Sequence, residues 1–229
     1  CFVMLFGICC LAGCEGSRHH LKKVRLNEVA HSIFYAPQYV AIEKGYFEKE
    51  GIKLELTTGF GADKTATAVI SGDADIAFMG PEATIYQFNQ GNADYLINFA
   101  QLTQRAGNFV VSREREDSFK WEDLKGKKVI GGRPGGMPEM VFEYVLKKHG
   151  MNPQKDINLV QNIDFANTSG AFVSGEADYT VEFEPAATLI EEQGAGYVVA
   201  SVGKESGYVP YTAYSVKKSY LETHKELLE

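Results

Sequence analysis

The chain has 229 residues, of which 45% are hydrophobic and 23% are charged, a composition typical of a globular protein rather than a disordered one. Thirty acidic residues against 23 basic ones give a net charge of −7. This balance excludes the overall basic surface on which nucleic-acid binding depends, so we expect no nucleic-acid partner.

The first segment, residues 1–13, is apolar and uncharged. It is too short to cross a bilayer, which needs about 20 residues, but it matches the hydrophobic region of an export signal. The segment leads into Leu-Ala-Gly-Cys14, which resembles the lipobox of bacterial lipoproteins. The resemblance implies a lipid on the Cys14 thiol and a polar tether over residues 14–21; a plain secretory signal is the alternative. No Met or basic leader precedes Cys1, so we expect truncation at the front.

Strand and helix patterns alternate through the first half of the chain. Alternation of this kind predicts a parallel sheet covered by helices on both faces. In the first predicted helix, Tyr39, Val40, Ile42 and Phe47 share one face. The predicted strands are residues 23–29, 52–56 and 75–79, and the predicted helices are residues 36–51, 63–72 and 82–91.

The second half of the chain repeats this alternation. Two further strands precede a charge-rich segment, residues 113–128, for which we predict a solvated loop with one short helical turn. The later predicted strands are residues 128–132, 157–163 and 178–183, and the predicted helices are residues 138–150, 168–175 and 185–194.

One sequence motif occurs twice, as "SGDADIAFMGPEATI" from Ser71 and as "SGEADYTVEFEPAATLI" from Ser174. In each copy a Gly ends one helix and a Pro begins the next, with Ala-Asp and a short strand between them. The repeat predicts two similar lobes built from βαβ units.

These motifs, together with "YAPQYVAIEKGYFEKEGIKLEL" and "DLKGKKVIGGRPGGMPEMVFEYVLKKHG", resemble the solute-binding proteins of bacterial ABC importers. The group in question handles aliphatic sulfonates, nitrate, taurine and pyrimidine precursors of thiamine. The resemblance implies an α/β fold of the type II periplasmic-binding-protein class, with two mainly parallel sheets flanked by helices and a ligand between the lobes. It also implies a monomer outside the cytoplasm, anchored to the bacterial membrane through Cys14, without a cofactor and with an importer permease as its partner.

The same resemblance sets the expected domain limits. We assign residues 22–105 to the first lobe, residues 106–212 to the second, and residues 213–229 to a segment returning toward the first. The last residues end inside an apolar helical pattern without a Gly or Pro stop, so we expect a missing C-terminal part.

Four turns join a strand to a helix and are expected to meet at the cleft, because ligands of open α/β sheets lie beyond the carboxyl ends of the strands. The Gly-rich turn at residues 131–137 matches neither a phosphate loop nor a dinucleotide fingerprint. The expected ligand-binding residues are Phe34, Tyr35, Gly80, Glu82, Gly135, Gly136, Met137 and Glu184.

The chemistry of these residues favours a small planar nitrogen heterocycle. Phe34 and Tyr35 offer flat apolar surface, and Glu82 and Glu184 offer acceptors for N–H groups. A sulfonate would instead prefer Arg133 and backbone N–H groups. Two alternatives stay open: the carboxylates serve only to stabilise helix starts, and an aromatic ring serves only in core packing.

The sequence also bears on catalysis. The five histidines show no metal-ligand spacing, and neither a nucleophile elbow nor a Cys-His pair is present, so we expect neither a metal nor a catalytic residue. One alternative is a pyrimidine-forming enzyme of the same fold, which is recognised by a cysteine cluster; no cysteine follows Cys14. Another is an adhesive lipoprotein without a cleft.

Overall fold

The structure, a computed structural model, describes residues 21–229 as two α/β lobes, each built on a five-stranded sheet. The predicted export signal, Cys14 and nearly all of the predicted tether lie outside the described residues. The first sheet contains β1 (Lys22–Glu28), β2 (Ile52–Thr58), β3 (Ile76–Met79), β4 (Leu96–Thr103) and β10 (Thr212–Lys217). The second contains β5 (Asn108–Ser112), β6 (Lys128–Ile130), β7 (Asn158–Val160), β8 (Tyr179–Phe183) and β9 (Tyr197–Ser201).

The two sheets have the same topology. Their strand orders are β2-β1-β3-β10-β4 and β7-β6-β8-β5-β9. In each sheet four strands run in one direction, and the fifth, β10 or β5, is antiparallel to both of its neighbours. This fifth strand comes from the chain crossing between lobes. The predicted pair of mainly parallel sheets flanked by helices is confirmed.

Helices cover the sheets in both lobes. In the first lobe they are α1 (Ala36–Glu43), α2 (Tyr46–Lys49), α3 (Ala62–Ser71), α4 (Glu82–Asn89), α9 (Lys218–Thr223) and α10 (Lys225–Leu228). In the second they are α5 (Met137–Lys148), α6 (Thr168–Val173), α7 (Ala186–Glu192) and α8 (Val202–Ser206). Short 3-10 turns occupy Ile33–Tyr35, Trp121–Leu124 and Phe165–Asn167. No helix in residues 21–229 combines the length and apolar character of a membrane span.

The repeated motif has the same structural role in both lobes. Asp75 accepts a hydrogen bond from the backbone N of Arg25 at 2.8 Å, and Asp178 accepts one from the backbone N of Lys128 at 2.8 Å. Each aspartate therefore fixes the start of a central strand against its neighbour. The preceding helices turn at Gly72 and Gly175, whose φ angles of 88° and 98° favour glycine.

One predicted helix is divided. The expected single helix over residues 36–51 breaks at Gly45, whose φ of 64° ends α1 before α2 begins. Val40 is 50% exposed, whereas Tyr39, which the sequence places on the same helical face, packs against the core. The break rotates the second helical segment relative to the first.

The chain passes between the lobes at residues 104–107 and 207–211. These two crossover segments are held side by side, because Val209 N donates to Gln104 O at 3.0 Å and Tyr211 N donates to Thr103 O at 3.1 Å. They form a hinge at the base of the cleft. Beyond β10, Leu227 and Leu228 are partly buried against the first-lobe core.

Candidate functional site

A cavity of about 340 Å³ lies between the lobes at the carboxyl ends of the parallel strands. Its walls come from the turns after β1, β3 and β6, from the two lobes' helix starts, and from the hinge. Seven of the eight predicted residues line it: Phe34, Tyr35, Gly80, Glu82, Gly135, Gly136 and Met137.

Glu184 is not among the residues that line the cavity. Its carboxylate Oε2 accepts a hydrogen bond from the backbone N of Thr188 at 3.1 Å, in the first turn of α7. Its carbonyl oxygen accepts from Ser32 Oγ of the first lobe at 3.2 Å. Glu184 therefore stabilises the start of α7, which is one of the two alternatives that the sequence left open. The structure does not support the predicted contact between Glu184 and the ligand.

Glu82 provides the buried carboxylate of the cavity wall. It begins α4 and is 4% exposed, and its Oε1 accepts from the backbone N of Met137 in the opposite lobe at 3.0 Å. Its Oε2 is shielded from solvent and has no hydrogen-bond partner within residues 21–229. Burial raises the pKa of Glu82 above its usual value. Gly80 is needed beside it, because a Cβ there would collide with this carboxylate.

Further polar contacts join the lobes across the mouth of the cleft. Tyr86 on α4 donates its hydroxyl to the carbonyl of Gly135 at 2.8 Å. Arg133 and Asp63 form an ion pair with a distance of 3.1 Å between Nη2 and Oδ2. Because both side chains of this pair are partly exposed, we expect it to contribute no more than about 1 kcal/mol. The cleft is closed in this structure.

Aromatic rings from both lobes and the hinge form one side of the cavity. The ring centroid of Phe34 lies 5.7 Å from those of Phe183 and Tyr211, and Phe165 lies 5.7 Å from Phe183. Tyr35 also lines the cavity but packs edge-on against Phe78 in the first-lobe core, and burial raises its pKa to about 12. Core packing therefore explains the position of Tyr35, and Phe34 is the ring that is more exposed to the cavity.

The cavity has an unbalanced negative charge. Its charged lining residues are Asp63, Glu82 and Arg133, and the first and last of these pair with one another. Two helix starts that could bind an anion are already occupied: Met137 N at the start of α5 donates to Glu82, and Thr188 N on α7 donates to Glu184. This arrangement disfavours an anionic ligand.

A second buried carboxylate, Glu28, organises the turn that carries Phe34. Glu28 ends β1 and is fully buried, with a hydrogen bond to the His31 ring at 2.8 Å. It also accepts from Gln38 Nε2 at 3.1 Å, Tyr39 Oη at 2.8 Å and Thr58 Oγ1 at 3.1 Å. Each carboxylate oxygen of Glu28 thus has two hydrogen-bond partners. Through them Glu28 holds α1 and the preceding turn against the sheet.

Glu139 supports the Gly-rich turn from behind. Its Oε2 accepts from Gly135 N at 3.1 Å and its Oε1 accepts from Gln161 Nε2 at 2.9 Å. Burial, together with neighbouring Glu143, raises the pKa of Glu139 to about 7. No group of three or more His, Cys, Asp or Glu within residues 21–229 is placed to hold a metal ion.

Comparison with known proteins gives a family match over most of the chain. The family model described as "NMT1/THI5 like" matches residues 33–229. "Putative binding protein YtlA" from Bacillus subtilis (strain 168) is 51% identical over 226 residues, which cover 99% of this chain and 67% of that protein. "Putative binding protein BAB2_1146" from Brucella abortus (strain 2308) is 29% identical over 160 residues, 69% of this chain and 47% of its own length.

Solved structures with the same fold are more distant in sequence. The periplasmic aliphatic sulphonate binding protein SsuA from Escherichia coli superposes with a TM-score of 0.69 at 18% identity, covering 90% of this chain and 69% of SsuA. The periplasmic nitrate-binding protein NrtA from Synechocystis PCC 6803 gives 0.68 at 19% identity, covering 88% of this chain and 57% of NrtA. These similarities establish a two-lobed binding-protein fold.

Proposed function

Because this chain belongs to the NMT1/THI5-like family, we propose that it captures a small solute between its two lobes outside the cytoplasm and delivers it to an ABC importer. The cavity at the carboxyl ends of both sheets supports this role. Binding rather than catalysis also agrees with the description of the relative YtlA as a binding protein. In this proposal the protein acts as a monomer and docks on a permease.

The solute we propose is a planar nitrogen heterocycle of the pyrimidine type that carries an N–H donor. The observation that supports it is the carboxylate of Glu82, which forms no ion pair within residues 21–229, in a wall shared with Phe34 and Phe183. An amino group would be attracted to this carboxylate, and a flat ring would stack on the aromatic side. Stacking adds about 0.5–1.5 kcal/mol beyond burial, and a hydrogen bond to a charged group adds about 1.5–3 kcal/mol.

A second candidate is an anion such as an alkanesulfonate, taurine or nitrate. The presence of Arg133 in the wall favours it, as do the sulphonate and nitrate that SsuA and NrtA bind. Against it, Arg133 is paired with Asp63, and an anion would face the carboxylate of Glu82. The heterocycle therefore remains the first candidate.

Thermal unfolding with two probe ligands separates these candidates. We expect 4-amino-2-methylpyrimidine at 100 times its Kd to raise the melting temperature by about 5–10 °C, because binding to the folded state alone stabilises it. Ethanesulfonate at the same concentration should leave the melting temperature unchanged. Stabilisation by ethanesulfonate alone would reverse the order of the candidates. If neither probe raised the melting temperature, the heterocycle would lose its support.

We further propose that the natural protein is a lipoprotein anchored through Cys14. The Leu-Ala-Gly-Cys motif supports this proposal. Replacing Cys14 by Ala in the full-length protein, expressed in a bacterium, should move most of it from the membrane fraction to the soluble fraction. Mass spectrometry of the membrane fraction provides the check: an unmodified Cys14 thiol there would contradict lipidation.

A further inference from the structure

Buried carboxylates from both lobes surround the cavity without a cation to balance their charge. Glu82 of the first lobe lines the cavity and is 4% exposed. Glu182 of the second lobe is 3% exposed, and its Oε2 accepts from Oγ1 of Thr168, a lining residue, at 3.1 Å. Neither glutamate forms an ion pair within residues 21–229. Buried charges in proteins are ordinarily paired, because an isolated one is costly to remove from water.

The basic groups nearest the cavity are engaged elsewhere. Arg133 is the one basic side chain among the described lining residues, and Asp63 neutralises it at 3.1 Å. Glu139, behind the Gly-rich turn, is a third buried carboxylate, and the neighbouring Lys147 pairs instead with Glu143 at 2.7 Å. The charges around the cavity therefore produce a negative potential inside it.

The aromatic side of the cavity suits a positive charge of a particular kind. Phe34, Phe165 and Phe183 all line it, and the ring centroids of Phe34 and Phe165 each lie 5.7 Å from that of Phe183. The face of an aromatic ring attracts a cation within about 6 Å of its centroid, most strongly when the cation is desolvated. A planar organic cation loses little hydration on such a surface, whereas a compact ammonium group loses much more.

We infer that the solute carries a positive charge and is a planar heteroaromatic cation, with the charge spread over its ring. The inference rests on the proposed function and deepens it, since the nitrogen heterocycle of that proposal becomes a cationic one. Glu82 and Glu182 act on the charge through space, so the solute needs no contact with either carboxylate.

The environment of the two carboxylates supports this inference. Burial raises the pKa of Glu82 and of Glu182 above its usual value, because desolvation disfavours the ionised form. Met137 N donates to Glu82, and the Thr168 and Thr180 hydroxyls donate to Glu182, and these hydrogen bonds favour the ionised form. A cation in the cavity would favour it further and offset part of the cost of burial.

The test uses two probes of the same shape. One is 4-amino-1-methylpyridinium, a permanent cation; the other is 4-methylaniline, in which carbon replaces the ring nitrogen and the charge is absent at neutral pH. We expect calorimetry with the wild type to give the cation a Kd at least about 10-fold lower than that of 4-methylaniline. Equal or tighter binding of 4-methylaniline would overturn the inference. If 4-amino-2-methylpyrimidine still binds, the proposed function stands; if none of the three binds, both fail.

Glu182→Gln removes a charge without changing the cavity lining, because Glu182 is not a lining residue. The affinity for the cation should fall about 3- to 10-fold, and that for 4-methylaniline should stay the same. Glu55→Gln, which removes an exposed carboxylate paired with Lys23, is the control and should change neither affinity. Equal losses of both affinities in Glu182→Gln would overturn the inference. The wild-type comparison decides it even if this variant does not fold.

Discussion

Glu82→Gln should weaken binding of 4-amino-2-methylpyrimidine about 10- to 100-fold, the loss expected when a hydrogen bond to a charged group is removed. The glutamine oxygen can still accept from Met137 N, as Oε1 of Glu82 does. Its amide nitrogen then replaces Oε2, and the side chain loses the negative charge that would attract the amino group of the ligand. Isothermal titration calorimetry of both proteins measures the effect.

Stability and pH distinguish this loss from misfolding. Because burial raises the pKa of Glu82, its ionisation destabilises the folded protein as the pH rises above about 4.5. Glutamine cannot ionise, so the unliganded variant should gain stability relative to the wild type as the pH increases. Glu184→Gln, with its carboxylate on Thr188 N, is the control and should bind normally. A normal affinity of Glu82→Gln would contradict the assigned contact.

Glu28→Leu should lower the free energy of unfolding by about 3 kcal/mol. The substitution leaves the buried Gln38 amide, which costs about 1–3 kcal/mol when unpaired, and the partly buried Tyr39 and Thr58 hydroxyls without their acceptor. Urea unfolding followed by circular dichroism gives the value. The single tryptophan, Trp121, lies in the second lobe, so its fluorescence reports separately on that lobe.

A surface carboxylate of the same lobe is the control for Glu28. Glu55 on β2 pairs with Lys23 at 2.8 Å, with both side chains well exposed. Glu55→Gln should cost less than about 1 kcal/mol, as exposed ion pairs do. A loss for Glu28→Leu no larger than this would mean that the buried network does not hold the turn before α1.

Much of the fold could be predicted because its signals are local. The sequence motif that begins at Ser71 and recurs at Ser174 predicted the two lobes. Its glycine turn, strand and proline determine local structure within a few residues. The glutamates near the two prolines were harder to separate. Glu82 follows Pro81 and lies inside α4, whereas Glu184 precedes Pro185 and accepts from α7. A difference of two positions relative to the proline changed where the side chain lies.

The aromatic side of the cavity could not be predicted in the same way. Phe34 was identified from its place after β1, but Phe183, Phe165 and Tyr211 come from the other lobe and the hinge. Their approach depends on how two sheets are arranged in space, which no local pattern records. Tyr211 in particular lies between α8 and β10 without a motif around it.

The exchange of strands between the lobes also sets the order in which the molecule can be completed. Residues 108–201 contain all five strands of the second sheet, whereas β4 of the first sheet pairs only with β10, which begins at Thr212. During synthesis from the N-terminus, the second sheet can therefore form while β3 and β4 still have open edges. The first sheet, with the more distant contacts, is completed after the second, and the cavity between the lobes is assembled only once β10 is in place.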